Sequence, residues 1–592
     1  MNKSFHAGLA AAGLSVISIN ALAETVGHDT VLVTATRSEQ MIEEPLAAVS
    51  VIDRDTIERS QAPDLLELLR LEAGIDMSRA GGPGGQTSTF MRGTNSNHVL
   101  VLVDGVRVAA AGTGGFTWEI LDPAQIERIE IVRGPRAARY GSDAIGGVIQ
   151  IFTRQPDGVS ARAAYGRYRD RSLSAAWGSE SFGLSIAGRR VGGFSAQNER
   201  GFAFDPDDDG FENLSINARG ATELAGGHLS WSARAADGEV EFDQGESDFL
   251  NYAFQTEYRH AGAGAWQWLA SAALYRDRLD TETPFGFSEA ITRRVQTGIQ
   301  AERLVGEHAL WMVGVDGWRE SGVSRNDWAE NRYNLGAWTG LHGNIDTVDW
   351  EASLRVDEDE QFGSAVTGNL AGGWRFADGW RVYASTGRAF RAPNFNQLYS
   401  PGFGGLFAGN PELDPETSWT HEAGIEFMAV AGQRVTLNLF ETRIDDLIDF
   451  SGEDFQAINI NRARIRGAEL RHELNFEQWR TQVSYTWQDP EDRDQGQQLL
   501  RRAEHKAALS ADYLLASGGW LGGEIVYTGS RLDVGAEQLP SHTLVNLRAG
   551  YPLGNGFQLE GRLENATDKH YEPLVGFNAH GRSLFVAISW QG

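Results

Sequence analysis

Most of the chain alternates apolar and polar residues, which is the period-two pattern of β-strands with two different faces. In the segment 480–488, Val483, Tyr485 and Trp487 share one face and polar residues occupy the other. The same pattern returns in segment after segment from about Pro156 onward. It predicts many strands, each with one apolar face.

The segment 421–443 is predicted to be a hairpin that turns around Gly432. One face of the hairpin combines Ala423, Ile425 and Phe427 with Val435, Leu437 and Leu439. The other face carries Glu422 and Glu426. A soluble sandwich would bury the apolar face, whereas a membrane barrel would turn it toward lipid and keep the polar face inside. Alternation alone leaves both architectures open.

The residues up to about Gln155 have a mixed pattern, which predicts a compact domain containing a helix and several strands. A helix is expected over 62–76, with Pro63 in its first turn and Gly74 at its end. Strands are expected at 98–108, with a turn at Asp104–Gly105, at 126–134 and at 146–153. The run of valine and leucine in the first of these strands is typical of burial on both faces.

The length and composition of the chain favour a large barrel. Residues 156–592 are 437 residues long, and a plugged barrel of about 22 strands would use about 20 of them for each strand and its connection. The chain has 70 Gly, 17 Trp, 14 Tyr and 28 Phe but no Cys, which suits turns and aromatic belts without disulfides. The net charge of −28 argues against a general nucleic-acid binder, because the phosphate backbone would repel the protein.

The first 23 residues have the features of a signal peptide. Lys3 precedes an apolar stretch at 7–19, and Ala21-Leu22-Ala23 predicts cleavage before Glu24. The sequence has no other apolar run long enough for a membrane-spanning helix, so a membrane crossing would require a closed barrel. It also has no P-loop, HExxH or G-x-S-x-G motif, and we expect neither enzyme activity nor a catalytic cofactor.

Several segments resemble a known family. RGTNSNHVLVLVDGVR (92–107) and IERIEIVRGPRAARYGSDAIGGVIQIFT (126–153) are similar to the plug-domain signatures of TonB-dependent outer-membrane receptors, most closely to their cobalamin-transporting branch. Further similar segments lie in the strand-rich region at 390–405, 409–426 and 460–470. The terminal SLFVAISWQG resembles the last strand of outer-membrane barrels, although Gln591 and Gly592 follow its aromatic residue.

The resemblance implies a fold and a location. The fold would be an all-β transmembrane barrel of about 22 antiparallel strands with an N-terminal mixed α/β plug domain inside its lumen. The signal peptide (1–23) would precede an N-terminal segment (24–40), the plug (41–155) and the barrel (156–592). The protein would lie as a monomer in the lipid of the outer membrane of a Gram-negative bacterium.

The N-terminal segment contains the strand-forming heptad DTVLVTA. Its position between the cleavage site and the plug matches the TonB box of the family, which here comprises Asp29, Thr30, Val31, Leu32, Val33, Thr34 and Ala35. An extended peptide can add as a strand to the sheet edge of another protein. The resemblance implies that TonB, with ExbB and ExbD, binds this heptad on the periplasmic side and supplies the energy for transport.

Two glycine-rich plug segments align with the apical loops that contact the substrate in the family. The expected substrate-binding residues are Gly84, Gly85, Gln86, Thr87, Ser88 and Thr89 in the first loop and Thr113 and Gly114 in the second. Neither loop contains an arginine, whereas an anionic ferric siderophore would suit a basic loop better. We therefore expect cobalamin as the ligand, and flexible loop tips are the alternative interpretation.

The resemblance also implies roles for two sets of charged residues. Calcium would bind the aspartates of two extracellular loops, which align with Asp207, Asp209, Asp237 and Asp243. The first of these loops is not an EF-hand, because its twelfth position is Ile216 rather than Glu. On the inner barrel wall, Glu422 and Glu469 would pair with the plug residues Arg92 and Arg133. Solvated surface and lumen charges are the alternative for both sets.

Three functions are open at this stage. Energised cobalamin transport is favoured, and the same machinery carrying a ferric siderophore or haem is the second. A passive porin or a surface adhesin is the third function, but such a protein would not need a plug domain.

Overall fold

The structure is a computed structural model of the chain. It describes residues 32–33, 40–41, 45–262, 265–402, 407–429, 432–451 and 455–592. The predicted signal peptide lies outside the described residues, as does the predicted TonB box apart from Leu32 and Val33.

The N-terminal domain is a small mixed sheet with short helices, hereafter the plug. Its elements are β1 (Leu32–Val33), β2 (Gln40–Met41), β3 (Val49–Ile52), α1 (Arg54–Ser60), α2 (Leu65–Leu69), β4 (Ile75–Arg79), β5 (Thr87–Met91), β6 (Val99–Val103), β7 (Val106–Arg107), β8 (Ile126–Arg133), α3 (Ala137–Tyr140) and β9 (Gly147–Thr153). Five strands form one sheet in the order β3-β8-β9-β6-β7, in which β6 and β9 are parallel. Strands β4 and β5 form a separate hairpin.

The strands of the plug match the prediction, but the helix predicted over 62–76 is too long. The helix α2 begins after Asp64, whose carboxylate accepts a hydrogen bond of 3.2 Å from the Glu67 backbone N–H, so Pro63 lies before the cap. It ends at Leu69 because the following residues leave to form β4, which pairs with β5. None of the helices in the described part of the chain has the length and apolar character that a membrane crossing needs.

The rest of the chain forms a closed antiparallel barrel of 22 long strands within the described residues. These are β10 (Gly158–Gly166), β11 (Arg171–Gly178), β12 (Phe182–Val191), β13 (Phe211–Leu224), β14 (Gly227–Phe242), β15 (Gly245–Ala261), β16 (Gln267–Thr283), β17 (Gly286–Val305), β18 (Ala309–Ser324), β19 (Trp328–Ile345), β20 (Val348–Asp359), β21 (Gly363–Ala377), β22 (Trp380–Arg391), β23 (Glu416–Ala429), β24 (Gln433–Ser451), β25 (Gln456–Phe476), β26 (Trp479–Asp492), β28 (His505–Leu514), β29 (Trp520–Thr528), β32 (His542–Gly554), β33 (Phe557–Glu564) and β34 (Ser583–Gln591). Three short strands, β27 (Gln497–Gln498), β30 (Arg531–Asp533) and β31 (Glu537–Leu539), and the helix α4 (Phe395–Tyr399) lie in the connections. The last strand pairs with the first and closes the barrel.

The predicted hairpin around Gly432 shows which face of the wall is apolar. Leu437 and Leu439 of β24 are 40% and 54% exposed on the outside, whereas Glu422 and Glu426 of β23 are buried in the lumen. A sandwich would show the opposite arrangement. The faces therefore decide the question that alternation left open, in favour of a membrane barrel with a polar interior.

The two ends of the barrel have different connections. At one end the strands are joined by short turns, such as Ala225–Gly226. At the other end lie longer connections, including 192–210, 392–415 and 565–582. In outer-membrane barrels the short turns are periplasmic and the long loops extracellular. The predicted domain boundary at 155/156 lies in the linker between β9 and β10.

Candidate functional site

Arg92 connects the plug to the barrel wall through two buried carboxylates. It follows β5, and its Nη1 lies 3.0 Å from Oε2 of Glu422, while its Nη2 lies 2.8 Å from Oε2 of Glu469. Its Nε donates a further hydrogen bond of 3.0 Å to Oε1 of Glu469. The three side chains are at most 2% exposed, and the guanidinium packs 4.5 Å from the ring centroid of Phe440. The predicted contacts of Arg92 with both glutamates are therefore present in the structure.

Arg133 forms its direct ion pair with Glu72 of the plug rather than with a wall glutamate, although the nearby charge of Glu469 also favours its ionised form. It donates hydrogen bonds to the Ala73 carbonyl (2.7 Å) and the Ser50 hydroxyl (2.8 Å), and its nearest carboxylate is that of Glu72 at 3.4 Å. Glu72 also pairs with Arg471 on the wall. Burial disfavours the charge of Glu72, but the guanidiniums of Arg471 and Arg133 outweigh it and lower the pKa of this carboxyl. The chain after α2 thus places a plug carboxylate between Arg133 and the wall.

The residues just before β3, where the chain enters the plug, form hydrogen bonds with the same barrel wall. The backbone N–H of Ala48 donates a hydrogen bond of 3.2 Å to Oε1 of Glu422, which also binds Arg92. The Pro45 carbonyl accepts a hydrogen bond of 3.0 Å from Arg381. The chain is therefore attached to the wall at Pro45 and Ala48, and Ala48 shares Glu422 with Arg92.

Two residues of the predicted TonB box are described, and both are in a strand. Leu32 lies opposite Met41 and Val33 opposite Gln40 in the antiparallel pair of β1 and β2. Leu32 and Val33 therefore have the strand conformation predicted for the heptad, and their partner strand is β2 of the same chain. Binding of TonB to the heptad remains a prediction.

The first apical loop joins β4 to β5 at the extracellular end. Gln86 at its tip is exposed, and Thr87 and Ser88 are half-buried. The Thr87 hydroxyl donates a hydrogen bond of 2.8 Å to Oε1 of Glu119, and burial raises the pKa of this carboxyl to about 7. Thr89, which was expected to contact substrate, is only 1% exposed because it lies inside β5 below the loop. It is out of reach of a ligand in the mouth.

An extracellular connection, residues 192–210, covers part of this apical loop. Gly81 lies against Ala196 so closely that a β-carbon there would be 2.5 Å from the Ala196 side chain. The covering loop is in turn fixed to its neighbours, since Arg200 forms ion pairs with Glu572 (2.9 Å) and Glu537 (3.0 Å). The first apical loop, which is predicted to bind substrate, therefore lies partly beneath the connection 192–210. The sequence did not predict this contact.

Two of the predicted calcium ligands hold this covering loop by accepting backbone hydrogen bonds. Oδ2 of Asp209 accepts one of 2.5 Å from Ala196, and Oδ2 of Asp243 accepts one of 2.7 Å from Gln197. Burial raises the pKa of Asp209 to about 7; the bond from Ala196 opposes this rise, and the charges of Asp243 and Asp207 add to it. The charged neighbours that act on Asp209 are therefore all carboxylates.

Asp237 is not part of that carboxylate group. It lies on β14 next to the buried Ala236, and it faces outward beside Leu214 of the neighbouring strand. Within the described ranges, no group of three or more His, Asp or Glu side chains is arranged to hold a metal ion. Alternation along β14 separates Asp237 from the loop aspartates, and calcium binding by Asp207, Asp209 and Asp243 remains a prediction.

The second apical loop lies beside the connection that contains α4. The Thr113 carbonyl accepts a hydrogen bond of 2.8 Å from the Asn394 side chain, and the Gly114 N–H donates one of 2.7 Å to the Ala110 carbonyl. Gly114 has a φ of +70°, which favours glycine at this turn. The predicted loop is thus held in place from the barrel side.

A group of aromatic rings at the mouth was missed by the sequence analysis. The centroid of Phe407 lies 5.9 Å from that of Phe450 and 5.4 Å from that of Phe455. Phe407 and Phe455 are exposed at the extracellular end. Phe407 and Phe455 lie in two separate connections and Phe450 lies near the end of β24, so no local pattern in the sequence indicated that the three rings would meet.

A closed, lipid-facing barrel whose lumen holds a plug, tied to the wall by buried ion pairs, defines a plugged outer-membrane transporter. The chain matches the family description "TonB dependent receptor-like, beta-barrel" over residues 151–566 and "TonB-dependent Receptor Plug Domain" over residues 42–148. It belongs to the TonB-dependent receptor family. The protein is therefore a TonB-dependent transporter of the outer membrane of Gram-negative bacteria.

Similar proteins fall into two groups. The chain is 30% identical over 608 residues to the "Vitamin B12 transporter BtuB" of Photobacterium profundum, with 96% of each chain covered. It is also 30% identical over 626 residues to the protein of the same name from Vibrio vulnificus, with both chains fully covered.

Among solved structures, the ferric enterobactin receptor PfeA of Pseudomonas aeruginosa aligns with a TM-score of 0.78 at 17% identity, covering 92% of this chain and 98% of PfeA. The siderophore receptor PirA of Acinetobacter baumannii aligns with a TM-score of 0.75 at 17% identity, again covering 92% and 98%. At this identity, the structural likeness concerns the fold alone.

Proposed function

We propose that this transporter carries cobalamin, or a related corrinoid, across the outer membrane. The observation that carries the proposal is full-length similarity at 30% identity to proteins named vitamin B12 transporters. It is supported by the chemistry of the two apical loops, which offer neutral hydroxyl, amide and backbone groups and contain no arginine.

The mouth is suited to a large ligand with both polar and apolar surface. Gln86 and Thr113 are exposed polar groups on the two apical loops, and the rings of Phe407 and Phe455 are exposed apolar groups on the barrel connections. Apolar walls with a few oriented polar groups are typical of ligand sites. A corrinoid, with its flat macrocycle and carboxamide side chains, has the same combination of apolar and polar surface.

The energy for transport would enter at the N-terminus. TonB, driven by ExbB and ExbD, would take up residues 29–35 as an added strand and pull. The force would pass through Pro45 and Ala48 to Glu422 and so to Arg92. We propose that the protein does this as a monomer, and that loosening this cluster is the first step of plug movement.

A ferric siderophore or haem is the second candidate ligand, because the solved structures reported above include siderophore receptors. The test is equilibrium binding of cyanocobalamin to the purified protein, with ferric siderophore complexes and haem as competitors. Saturable cobalamin binding that the iron complexes do not displace would support the proposal. Binding of an iron complex in the absence of cobalamin binding would replace it with the second candidate.

A further inference from the structure

A cavity of about 480 Å³ lies between one edge of the plug and the barrel wall. On the plug side it is lined by Asp104 and Gly105 in the turn between β6 and β7. On the wall side it is lined by strands β13 to β18, including Glu257 and Arg259 of β15 and Glu302 of β17. These wall residues lie in the strand halves next to the short turns, so the cavity occupies the periplasmic half of the lumen.

The plug segment 107–111 closes the extracellular end of this cavity. The Tyr275 hydroxyl donates a hydrogen bond of 2.7 Å to the Val108 carbonyl, and Arg294 donates one of 3.0 Å to the Ala109 carbonyl. On β16 and β17, Tyr275 and Arg294 directly follow the cavity-lining positions in the direction of the long loops. The segment thus forms a roof over the cavity.

The same segment leads directly into the second apical loop. Ala111, at the end of the roof, donates a backbone hydrogen bond of 2.9 Å to the Thr292 hydroxyl, and the loop that carries Thr113 and Gly114 follows. A ligand at this loop is therefore separated from the cavity by one short stretch of chain.

The roof begins at β7, an edge strand of the plug sheet. β7 has only two residues, Val106 and Arg107, and it pairs with β6 alone, at the sheet edge. Movement of this edge would break its short pairing with β6 and the hydrogen bonds of the segment to Tyr275, Arg294 and Thr292. It would leave the central strands paired, whereas loss of a central strand would disrupt pairing on both sides. Movement of the edge would join the mouth to the cavity without removal of the whole plug.

The lining of the cavity is rich in uncharged hydrogen-bonding groups. Six glutamines contribute to it: Gln150, Gln155, Gln255, Gln267, Gln296 and Gln300. Each carboxamide both donates and accepts, and carries no charge. Two of the lining arginines are already engaged, since Arg107 pairs with Asp143 at 3.1 Å and Arg219 lies 3.8 Å from Asp104. The lining also includes five carboxylate residues against three arginines, so it disfavours a strongly anionic complex, and its glutamines suit a neutral ligand with many amide groups.

We propose that this glutamine-lined cavity is an inner station for the substrate on its route to the periplasm, entered when the roof segment 107–111 moves. The inference rests on the proposed function for the identity of the substrate, a large neutral molecule with carboxamide side chains. Binding at the station is weak, because each amide contact exchanges for one with water, and this weakness allows the ligand to leave on the periplasmic side.

A second, smaller cavity gives the matched control. It has about 200 Å³ and lies between α1 and strands β10 to β12, away from both apical loops. Ser271 of β16 lines the first cavity and Ser174 of β11 the second, and both are half-buried serines on the lumen face. Because the chain has no cysteine, Ser271→Cys and Ser174→Cys each introduce a single thiol.

The experiment measures uptake of radiolabelled cyanocobalamin by cells before and after each thiol is modified with a bulky reagent that enters the periplasm through porins. Surface binding of cyanocobalamin is measured in parallel. We expect modification of S271C to reduce uptake at least tenfold with binding unchanged, and modification of S174C to leave uptake unchanged. Uptake that survives modification of S271C, or that is lost equally in both variants, would overturn the proposal.

A second measurement tests the roof without filling the cavity. In the double variant A111C/T292C, a disulfide would fasten the roof to β17 where Ala111 and Thr292 already touch. We expect the oxidised protein to bind cyanocobalamin and not transport it, and a reductant to restore uptake. Equal uptake by the oxidised and reduced forms would overturn the proposal. Failure of the proposed function would look different, because the unmodified wild-type protein would then bind no cyanocobalamin.

Discussion

Arg92 and Glu469 meet across the boundary between plug and barrel, with Nη2 2.8 Å from Oε2 and Nε 3.0 Å from Oε1. Glu422 completes the cluster, and it also accepts the backbone N–H of Ala48. The ionic link between plug and wall therefore lies next to the point where the chain enters the plug. Breaking this link requires desolvated charges to separate, which makes it a strong fastening until force is applied.

The substitution Glu469→Gln tests this fastening. It keeps the shape of the side chain but leaves buried Arg92 with a single carboxylate, and removal of one partner from a buried ion pair costs about 3–5 kcal/mol. We expect the free energy of opening of the plug to fall by about 3 kcal/mol, measured by native-state hydrogen exchange of the β3 and β5 amides.

The matched control is Glu441→Gln, because Glu441 forms an ion pair with the largely exposed Arg443 on the outer surface. Exposed pairs contribute about 0–1 kcal/mol, and we expect little change in exchange. Equal exchange in the two variants would contradict the role assigned to Glu469.

The covering loop is expected to loosen as the pH rises. Burial raises the pKa of Asp209 to about 7, so the folded loop favours the protonated form. Protonated Asp209 stabilises the folded loop fully below about pH 4, the ordinary pKa of an aspartate. This stabilisation is lost as the pH rises to about 7. Amide exchange at Ala196, corrected for its intrinsic rate, should therefore be faster at pH 8 than at pH 5.

In Asp209→Asn the amide oxygen can still accept the bond from Ala196 but does not ionise. We expect this variant to show no difference in corrected exchange between pH 5 and pH 8. A difference as large as in the wild-type protein would assign the pH dependence to another group.

Calcium is expected to act on the same loop. To bind an ion, Asp207, Asp209 and Asp243 would have to move closer together than they are in this structure. The ion would then offset their mutual repulsion and favour the ionised form of Asp209. We expect calcium to bind more tightly at pH 8 than at pH 6, measured by calorimetry, and to raise the affinity for cyanocobalamin. Asp243→Asn should weaken calcium binding, and Asp237→Asn, whose side chain faces outward, should not. Absence of calcium binding at pH 8 would contradict this account.

The tip of the first apical loop should contribute directly to ligand binding. Loss of one hydrogen bond costs about 0.5–1.5 kcal/mol, so Gln86→Ala is expected to weaken cyanocobalamin binding by about 2- to 12-fold. Thr89→Ser is the control, because this buried residue lies below the loop. Unchanged affinity in the Gln86 variant would remove the loop tip from the binding site.

The strand pattern was predictable because period-two alternation is a local property. The faces of the hairpin around Gly432 follow from it, and so does the outward position of Asp237, which alternation along β14 could have indicated. The helix over 62–76 was too long because its end depends on the pairing of β4 with β5, which the local pattern does not contain.

The details of the site depend on contacts between distant parts of the chain. Resemblance to the family supplied the partners of Arg92, but the pairing of Arg133 with Glu72 depends on the path of the chain after α2. The cover of Ala196 over Gly81 joins residues more than a hundred positions apart. Such packing leaves no periodic signal in the sequence.

The central claim, energised transport of cobalamin, is tested most directly by uptake of radiolabelled cyanocobalamin into cells that lack their own outer-membrane cobalamin transporter. The wild-type protein should restore uptake, and Val33→Pro should abolish it while surface binding of cyanocobalamin stays intact, because proline removes a backbone N–H needed for strand addition. Val33→Ile should transport as the wild type does. Uptake that persists in Val33→Pro, or in a chain lacking residues 29–35, would contradict the account.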